Sequence, residues 1–496
     1  MAWQRSCWLV SLVGLWTILL VAWLNSYMTE FTLKRFSLEE ETATPPPDWL
    51  EEDEDEDWIP ADSARATGDP NLTDNPTLTG SNLDIVTPST VPEIYGKPVN
   101  HGKPEPETRA DAFCRCSQLG GNTPPEGLES FAKEELKNLL KEMRKKLRIY
   151  IYPTDPYCNQ RRPKLTNRGY MVEWNFYDRA ILSSMRVKSP ENASIYYIPT
   201  FTSCWRNQGK TRHQGGEAVG KRMKQVMEKV SESPFWQRYA GKKHIWVSAH
   251  DMGKGEPFYR WCVGRPEESD KCRMLATNST VLTNTADDLE TASPRIQKRF
   301  AFNRFLDVSL VCNGDTSVAR ASFSVKPTHV RKFSVFFAGK WDKNYVKVRY
   351  QAIRSIQEEK LPKPTNFPRQ MSLQAYQQSL ADTELCLAPR GSRVWSPRLF
   401  EMIWFGCIPV IIASGYHLPA SCFFDWKDFS ILIEDKDAGK AGQILKKLLS
   451  NRKRLELMRQ KVFEIRKTFM WNKEEISGDA FELAMLDVYL KQQRRC

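Results

Sequence analysis

The chain has 496 residues, 41% of them hydrophobic, enough for a sizeable core spread over two or three domains. It is therefore neither a mini-protein that needs disulfide staples nor a disordered polymer. The net charge of +12 is unevenly placed: residues 1–57 hold three basic against 12 acidic residues (net −9), and the other 439 hold 69 against 48 (net +21). A basic body favours anionic partners such as nucleotide-sugars, acidic glycans, membrane surfaces or nucleic acid.

No charged residue occurs from Ser6 to Thr29, and the densest apolar stretch is Cys7–Trp23. At helical rise it spans about 26 Å, near the short end for a bilayer, which suits the thin membranes of the early secretory pathway. The apolar core is followed by Trp23, Leu24, Asn25, Ser26 and Tyr27 rather than by small residues, so an uncleaved anchor is expected over a cleaved signal peptide. A tail (1–6), an anchor (7–24) and a stem (25–110) are thus expected. The stem holds the acidic run Glu51–Asp57, Pro45–Pro47 and a Ser/Thr/Asn/Pro-rich stretch, and cannot offset its ordering entropy by burial. Glycosylation acceptors are read at Asn71, Asn192 and Asn278; Asn75 precedes proline and is excluded. Eleven of the 12 cysteines follow the anchor, so at least one thiol is free or intermolecular; the pairing is open.

Order is expected from near Cys114. A charged amphipathic helix over 129–146 precedes the strand Arg148–Tyr152. A helix from Glu173 to Arg186, the strand Ile195–Pro199, a helix over Gly215–Val230 and the strand His244–His250 follow. The pattern restarts with the strand Phe333–Gly339. Helices over Tyr345–Glu359 and Ser372–Ala381 lead to the strands Glu384–Pro389, Ile408–Ile412 and Phe429–Ile433, then helices to the end. Alternation of this kind predicts two α/β units, each a parallel sheet with crossover helices. These are expected to be two Rossmann-like domains, 111–325 and 326–496, facing a cleft.

The most informative segment runs from Cys386 to Ile412. Gly391 allows a tight turn; Ser396 is read as an N-cap, Pro397 as the first helical residue, and Gly406 as the stop, which places a helix over Pro397–Phe405. Its amino end is an anion site with Arg390, Arg393 and Arg398 around it, residue types that grip diphosphate two-pronged. Glu401, three residues after Arg398, can accept from ribose hydroxyls. Neither a Walker A loop nor a GxGxxG string occurs. The charge run Asp435-Lys436-Asp437 is read as a helix start favoured by the dipole rather than as a metal site.

This segment resembles the core motif of the exostosin family of glycosyltransferases, through Cys386, Leu387, Pro389, Gly391, Ser396, Arg398, Glu401, Gly406, Cys407, Ile408, Pro409 and Val410. Leu418-Pro419, Asp425-Trp426, Phe336–Gly339, the Trp236/Arg238/Gly241/His244 pattern and His250-Asp251-x-Gly253 fit as well, so the likeness covers about Leu147 to Asp435. Two positions depart from the family: Lys243 stands where an aspartate is usual, and Ser392-Arg393 where animal members often carry two arginines.

The resemblance implies a GT-B type transferase of the Golgi lumen, single-pass and type II, with 111–325 on the acceptor side and 326–496 for the donor. It would move a sugar from a uridine diphosphate sugar to an oligosaccharide or polysaccharide with inversion. Arg390, Gly391, Arg393, Ser396, Arg398 and Glu401 would form the donor site, and the catalytic candidates on the acceptor side are Asp251 as base with His250 beside it. Arginine neutralisation of the diphosphate predicts metal-independent transfer with no further cofactor. Homo- or hetero-oligomers are also implied, and a non-catalytic subunit that binds donor is the second reading. A sulfotransferase would need a phosphosulfate loop after the first strand, which RIYIYPTDPY lacks, and no zinc-finger or RNA-binding signature supports nucleic acid.

Overall fold

The computed structural model describes residues 133–153, 168–207, 212–250, 277–287, 306–312, 321–343 and 346–494, with single positions 158, 253 and 319. The expected tail, anchor and stem lie outside the described residues, as do Asn71 and Asp251. Among the described residues no helix is long and apolar enough to cross a membrane.

The first half is built on a parallel sheet. Its strands are β1 (Ile149–Ile151), β2 (Arg186–Val187), β3 (Ile195–Ile198), β4 (His244–Ser248), β5 (Thr280–Thr283) and β6 (Val308–Ser309), in the order β2-β1-β3-β4-β5-β6. The sequences IYYI of β3 and HIWVS of β4 are buried at every residue. That is the signature of strands covered on both faces, and it explains why they read as continuous apolar runs instead of alternating ones. The helices are α1 (Lys133–Lys146), α2 (Val172–Leu182), α3 (Thr202–Arg206), α4 (Arg212–Ser231) and α5 (Pro234–Tyr239). α5 starts where the Ser233 hydroxyl accepts from the Phe235 N–H ahead of Pro234.

The second half repeats the plan with β7 (Phe333–Phe336), β8 (Thr365–Asn366), β9 (Thr383–Pro389), β10 (Ile408–Ile412) and β11 (Ile431–Ile433) in the order β11-β10-β9-β7-β8, again all parallel. Its helices are α6 (Lys347–Gln357), α7 (Leu373–Asp382), α8 (Arg398–Trp404), α9 (Ala441–Ser450) and α10 (Arg452–Ile465). Arg331 is buried in this half and donates to the carbonyls of Leu380, Ala381, Phe405 and Gly406, satisfying the carboxyl ends of α7 and α8. Burial pushes its guanidinium down to about 9.

The two parallel α/β halves agree with the sequence reading, but the chain divides between them less simply than 111–325 and 326–496. The last helix, α11 (Ala480–Arg494), packs on the first sheet: Phe481, Leu483, Met485, Leu486 and Val488 share a core with Ile149, Ile195, Ile245 and Leu282. Arg144 reaches Glu482 through a two-pronged pair at 2.5 and 2.6 Å, and Arg179 meets the buried Asp479 at 3.4 Å. An apolar helix at the end of a sequence shows that it must be covered. It does not show by which sheet.

Cys158 pairs with Cys204 and Cys386 with Cys407. Cys312 is buried, and its sulfur accepts from the Asn284 side-chain amide at 3.8 Å.

Candidate functional site

β9 ends at Pro389, at the carboxyl edge of the second sheet, and is buried along its whole length. The chain then turns through 390–397 into α8 and returns as β10, the neighbour of β9. The Cys386–Cys407 disulfide ties that return to β9, so the loop between them springs from a doubly fixed base. α8 begins at Arg398, with Pro397 in the capping place and no side-chain cap bond. The capping expected of Ser396 is therefore corrected: proline already has helical dihedrals, and it is the Ser396 carbonyl that accepts, from Leu399 N at 3.2 Å. Gly406 stops the helix with φ +69°, as expected.

Around this loop the predicted arginines separate. The Arg390 guanidinium bonds Asp435 Oδ2 at 3.0 Å and the carbonyls of Gly391 and Ser392 at 3.3 Å. The second Asp435 oxygen accepts from Ser414 N, so this carboxylate closes the turn instead of merely starting a helix. Arg390 thus braces the loop. Arg398 projects over the Phe337 ring, with its Cζ 5.8 Å from the centroid. Gly339, at φ +146°, lies where a Cβ would stand 3.4 Å from Arg398 Nη2. Arg393 is half-buried on the same loop. Glu401 is buried, and its Oε2 accepts from the Tyr376 hydroxyl at 2.6 Å.

The structure adds Arg349, a residue the motif did not contain. It stands in the first turn of α6 and also lies over Phe337, at 5.8 Å. Its Nε donates to the Arg390 carbonyl at 3.0 Å and its Nη1 to the Lys340 carbonyl at 3.3 Å. A Cβ on Gly391 would sit 2.7 Å from Arg349 Nη2, so this glycine makes room for a guanidinium. Pairing of β7 with β9 is what carries the start of α6 to the β9 loop. The signal in sequence was positional: an arginine opening the helix after a glycine-ended strand.

The carboxyl edge of the first sheet supplies the opposing wall. After β4 the chain makes a turn in which Gly253 N donates to the His250 carbonyl at 2.7 Å, with Thr285 Oγ1 donating to the same carbonyl at 3.1 Å. Gly253 sits at φ +50°. His250 stacks on Tyr170, ring centroids 6.3 Å apart, and Tyr170 meets Trp395 edge-on at 6.2 Å. Trp395 belongs to the arginine-bearing loop, so Tyr170, which the sequence reading did not single out, links that loop to His250. His244, in contrast, is wholly buried between Tyr152 and Tyr196, bonded to the Tyr152 hydroxyl at 3.0 Å, with burial pushing its imidazole down to about 3. It is a neutral core residue. Asn192 is exposed, while Asn278 is half-buried with its amide donating to the Ala240 carbonyl at 2.8 Å. Among the described residues no three His, Cys, Asp or Glu side chains cluster as a metal site would.

Residues 143–448 match the model of the Exostosin GT47 domain. The chain belongs to the exostosin GT47 family. Relatives include a probable glucuronoxylan glucuronosyltransferase, IRX7 of Arabidopsis thaliana, 24% identical over 363 residues that cover 69% of this chain and 76% of the relative. A probable beta-1,4-xylosyltransferase, IRX10 of the same plant, is 25% identical over 325 residues, 60% of this chain and 71% of the relative. Among solved structures, a putative UDP-N-acetylglucosamine 2-epimerase from Listeria monocytogenes aligns at 10% identity, covering 68% of this chain and 93% of that one, with a TM-score of 0.29. MurG of Acinetobacter baumannii aligns at 7%, 64%, 94% and 0.27 respectively. Those scores are too low to bear on the argument. The family's two departures also find places: Lys243 lies over the Tyr239 ring at 4.4 Å, and the Ser392 carbonyl receives Arg390. Membership supports a glycosyltransferase, and it does not favour the non-catalytic reading.

Proposed function

We propose that the protein transfers a sugar from a uridine diphosphate sugar to a glycan acceptor with inversion, in a GT-B type arrangement. The second half binds the donor. One observation carries this reading: Arg398 of α8 and Arg349 of α6 both lie over Phe337 beside Gly339 and Gly391, and the loop leading into α8 bears Trp395, which meets Tyr170 beside His250. Two guanidiniums beside a bared backbone suit a diphosphate, and they stabilise it most as it departs with its full charge. Glu401, which accepts from the Tyr376 hydroxyl, would accept from ribose as well. Inversion requires a base on the acceptor hydroxyl, which we assign to the 250–253 turn, with Asp251 and His250 as its candidates. Arginine neutralisation supports transfer without metal. The body would act in the Golgi lumen behind the 7–24 anchor.

The test uses the full chain, a panel of uridine diphosphate sugars beginning with glucuronate and xylose, and oligosaccharide acceptors. UDP release should depend on acceptor. Arg398→Ala should weaken UDP binding at least ten-fold, and Glu401→Ala should weaken it as well. Unchanged UDP affinity in both variants would overturn the site assignment.

A further inference from the structure

Glu173 is the second residue of α2 and is completely buried. No basic side chain pairs with it among the described residues. A carboxylate in such a place is costly unless its oxygens are used. Both are: Oε1 accepts from the Thr202 hydroxyl and from Ala249 N at 3.2 Å, and Oε2 from Ser203 N at 3.3 Å. Two of these donors open α3, the helix that follows β3, and the third stands directly after β4. Ala249 is the residue directly before His250. Three residues ahead of Glu173, Tyr170 stacks on the His250 ring. The carbonyl of His250 is meanwhile fixed by Gly253 and Thr285.

We infer that Tyr170 and Glu173 are positioning residues for the His250 imidazole. Glu173 fixes the backbone from inside the fold, and Tyr170 fixes the ring from the face shared with Trp395. The inference rests on the transferase reading for its functional meaning, since His250 matters only if that turn works on an acceptor. The geometry explains a buried carboxylate that no ion pair requires. Burial holds it up at about 7 against the hydrogen bonds from Thr202, Ser203 and Ala249. Because Tyr170 touches Trp395, the ring orientation of His250 also depends on the loop that would carry the donor.

The experiment uses the full chain labelled with carbon-13 at its six histidines. The His250 ring signal is identified by its loss in His250→Gln. Tyr170→Ala and Glu173→Gln should each move that signal and leave the other five in place, while Tyr170→Phe, which keeps the ring, should leave it unmoved. Turnover of a uridine diphosphate sugar per UDP-binding site should fall ten-fold or more in Tyr170→Ala, with UDP affinity within two-fold of the parent, and Tyr170→Phe should restore it. A His250 signal unmoved by Tyr170→Ala overturns the inference even if Glu173→Gln fails to fold. Failure of the parent protein to bind UDP would instead overturn the transferase reading and leave the spectroscopic arm to decide the positioning.

Discussion

Two glycines on the loops around α8 show how differently one residue type can be used. Gly391 lies outside the left-handed region, and an added Cβ would meet only the movable end of Arg349. Gly391→Ala should therefore cost stability within about 1 kcal/mol while weakening UDP binding several-fold, as read by a urea melt beside a UDP titration. His244 makes a second residue-scale prediction. Its imidazole is depressed to about 3 from an ordinary 6.5. The unfolded chain therefore binds the extra proton first as pH falls. Its contribution is intact above pH 6.5 and is lost on acidification towards pH 3, at up to about 1.4 kcal/mol per pH unit. His244→Phe leaves the Tyr152 hydroxyl its bond to Ser233 at 3.1 Å, and should flatten the fall in urea-melt stability between pH 6 and pH 4. A slope equal to the parent's would show that His244 does not carry it. At this scale the sequence was legible where one motif held the answer: Arg398, Glu401 and Gly406 all stand on or at the end of one helix. Arg349 was not, because it reaches the site only through the pairing of β7 with β9, across a sequence gap that no local spacing reports. The bracing contact of Arg390 was illegible for a related reason. Its partner Asp435 lies 45 residues away.

Among the elements, β9, α8 and β10 form the unit on which everything at the site is hung. Strands of this kind announce themselves, since burial on both faces makes them unbroken apolar runs, and Ile408–Ile412 was read with its true limits. β2, β6 and β8, of two residues each, carry too few side chains for any periodicity to show. The start of α8 differed by one residue: Pro397 stands in the capping place, and no side chain caps the helix there. Gly406, unlike Gly391, cannot be replaced. Its φ is +69°, and an added Cβ would collide with the Phe463 ring. Gly406→Ala should destabilise by about 3 kcal/mol or more, from left-handed strain and overpacking together, seen as a lowered melting temperature. Replacing Cys386 and Cys407 by serine opens a loop of sequence separation 21 and should cost about 3 kcal/mol in a chain-entropy account. A melt unaffected by reductant or by the double replacement would contradict that account.

For the molecule as a whole, α11 decides what counts as a half. It fills the first sheet's core with side chains from the far end of the chain, so removing residues 480–494 should expose Leu140, Met143 and Val308 and leave the first half unable to fold. Thermal melts and solubility of the shortened chain would show it; a parent-like melt would sink the idea. This shared ownership was invisible in sequence because an apolar helix carries no label for its partner. The chain passes between the sheets after β6 and again before α11, and at those passages Trp471 Nε1 donates to the Val311 carbonyl at 3.0 Å. The two connecting strands of polypeptide are thus riveted side by side, like the paired leaves of a door hinge. A bond between the two crossings makes that seam the natural axis for any rotation of one half against the other, and such a rotation would carry the 390–397 loop towards or away from His250.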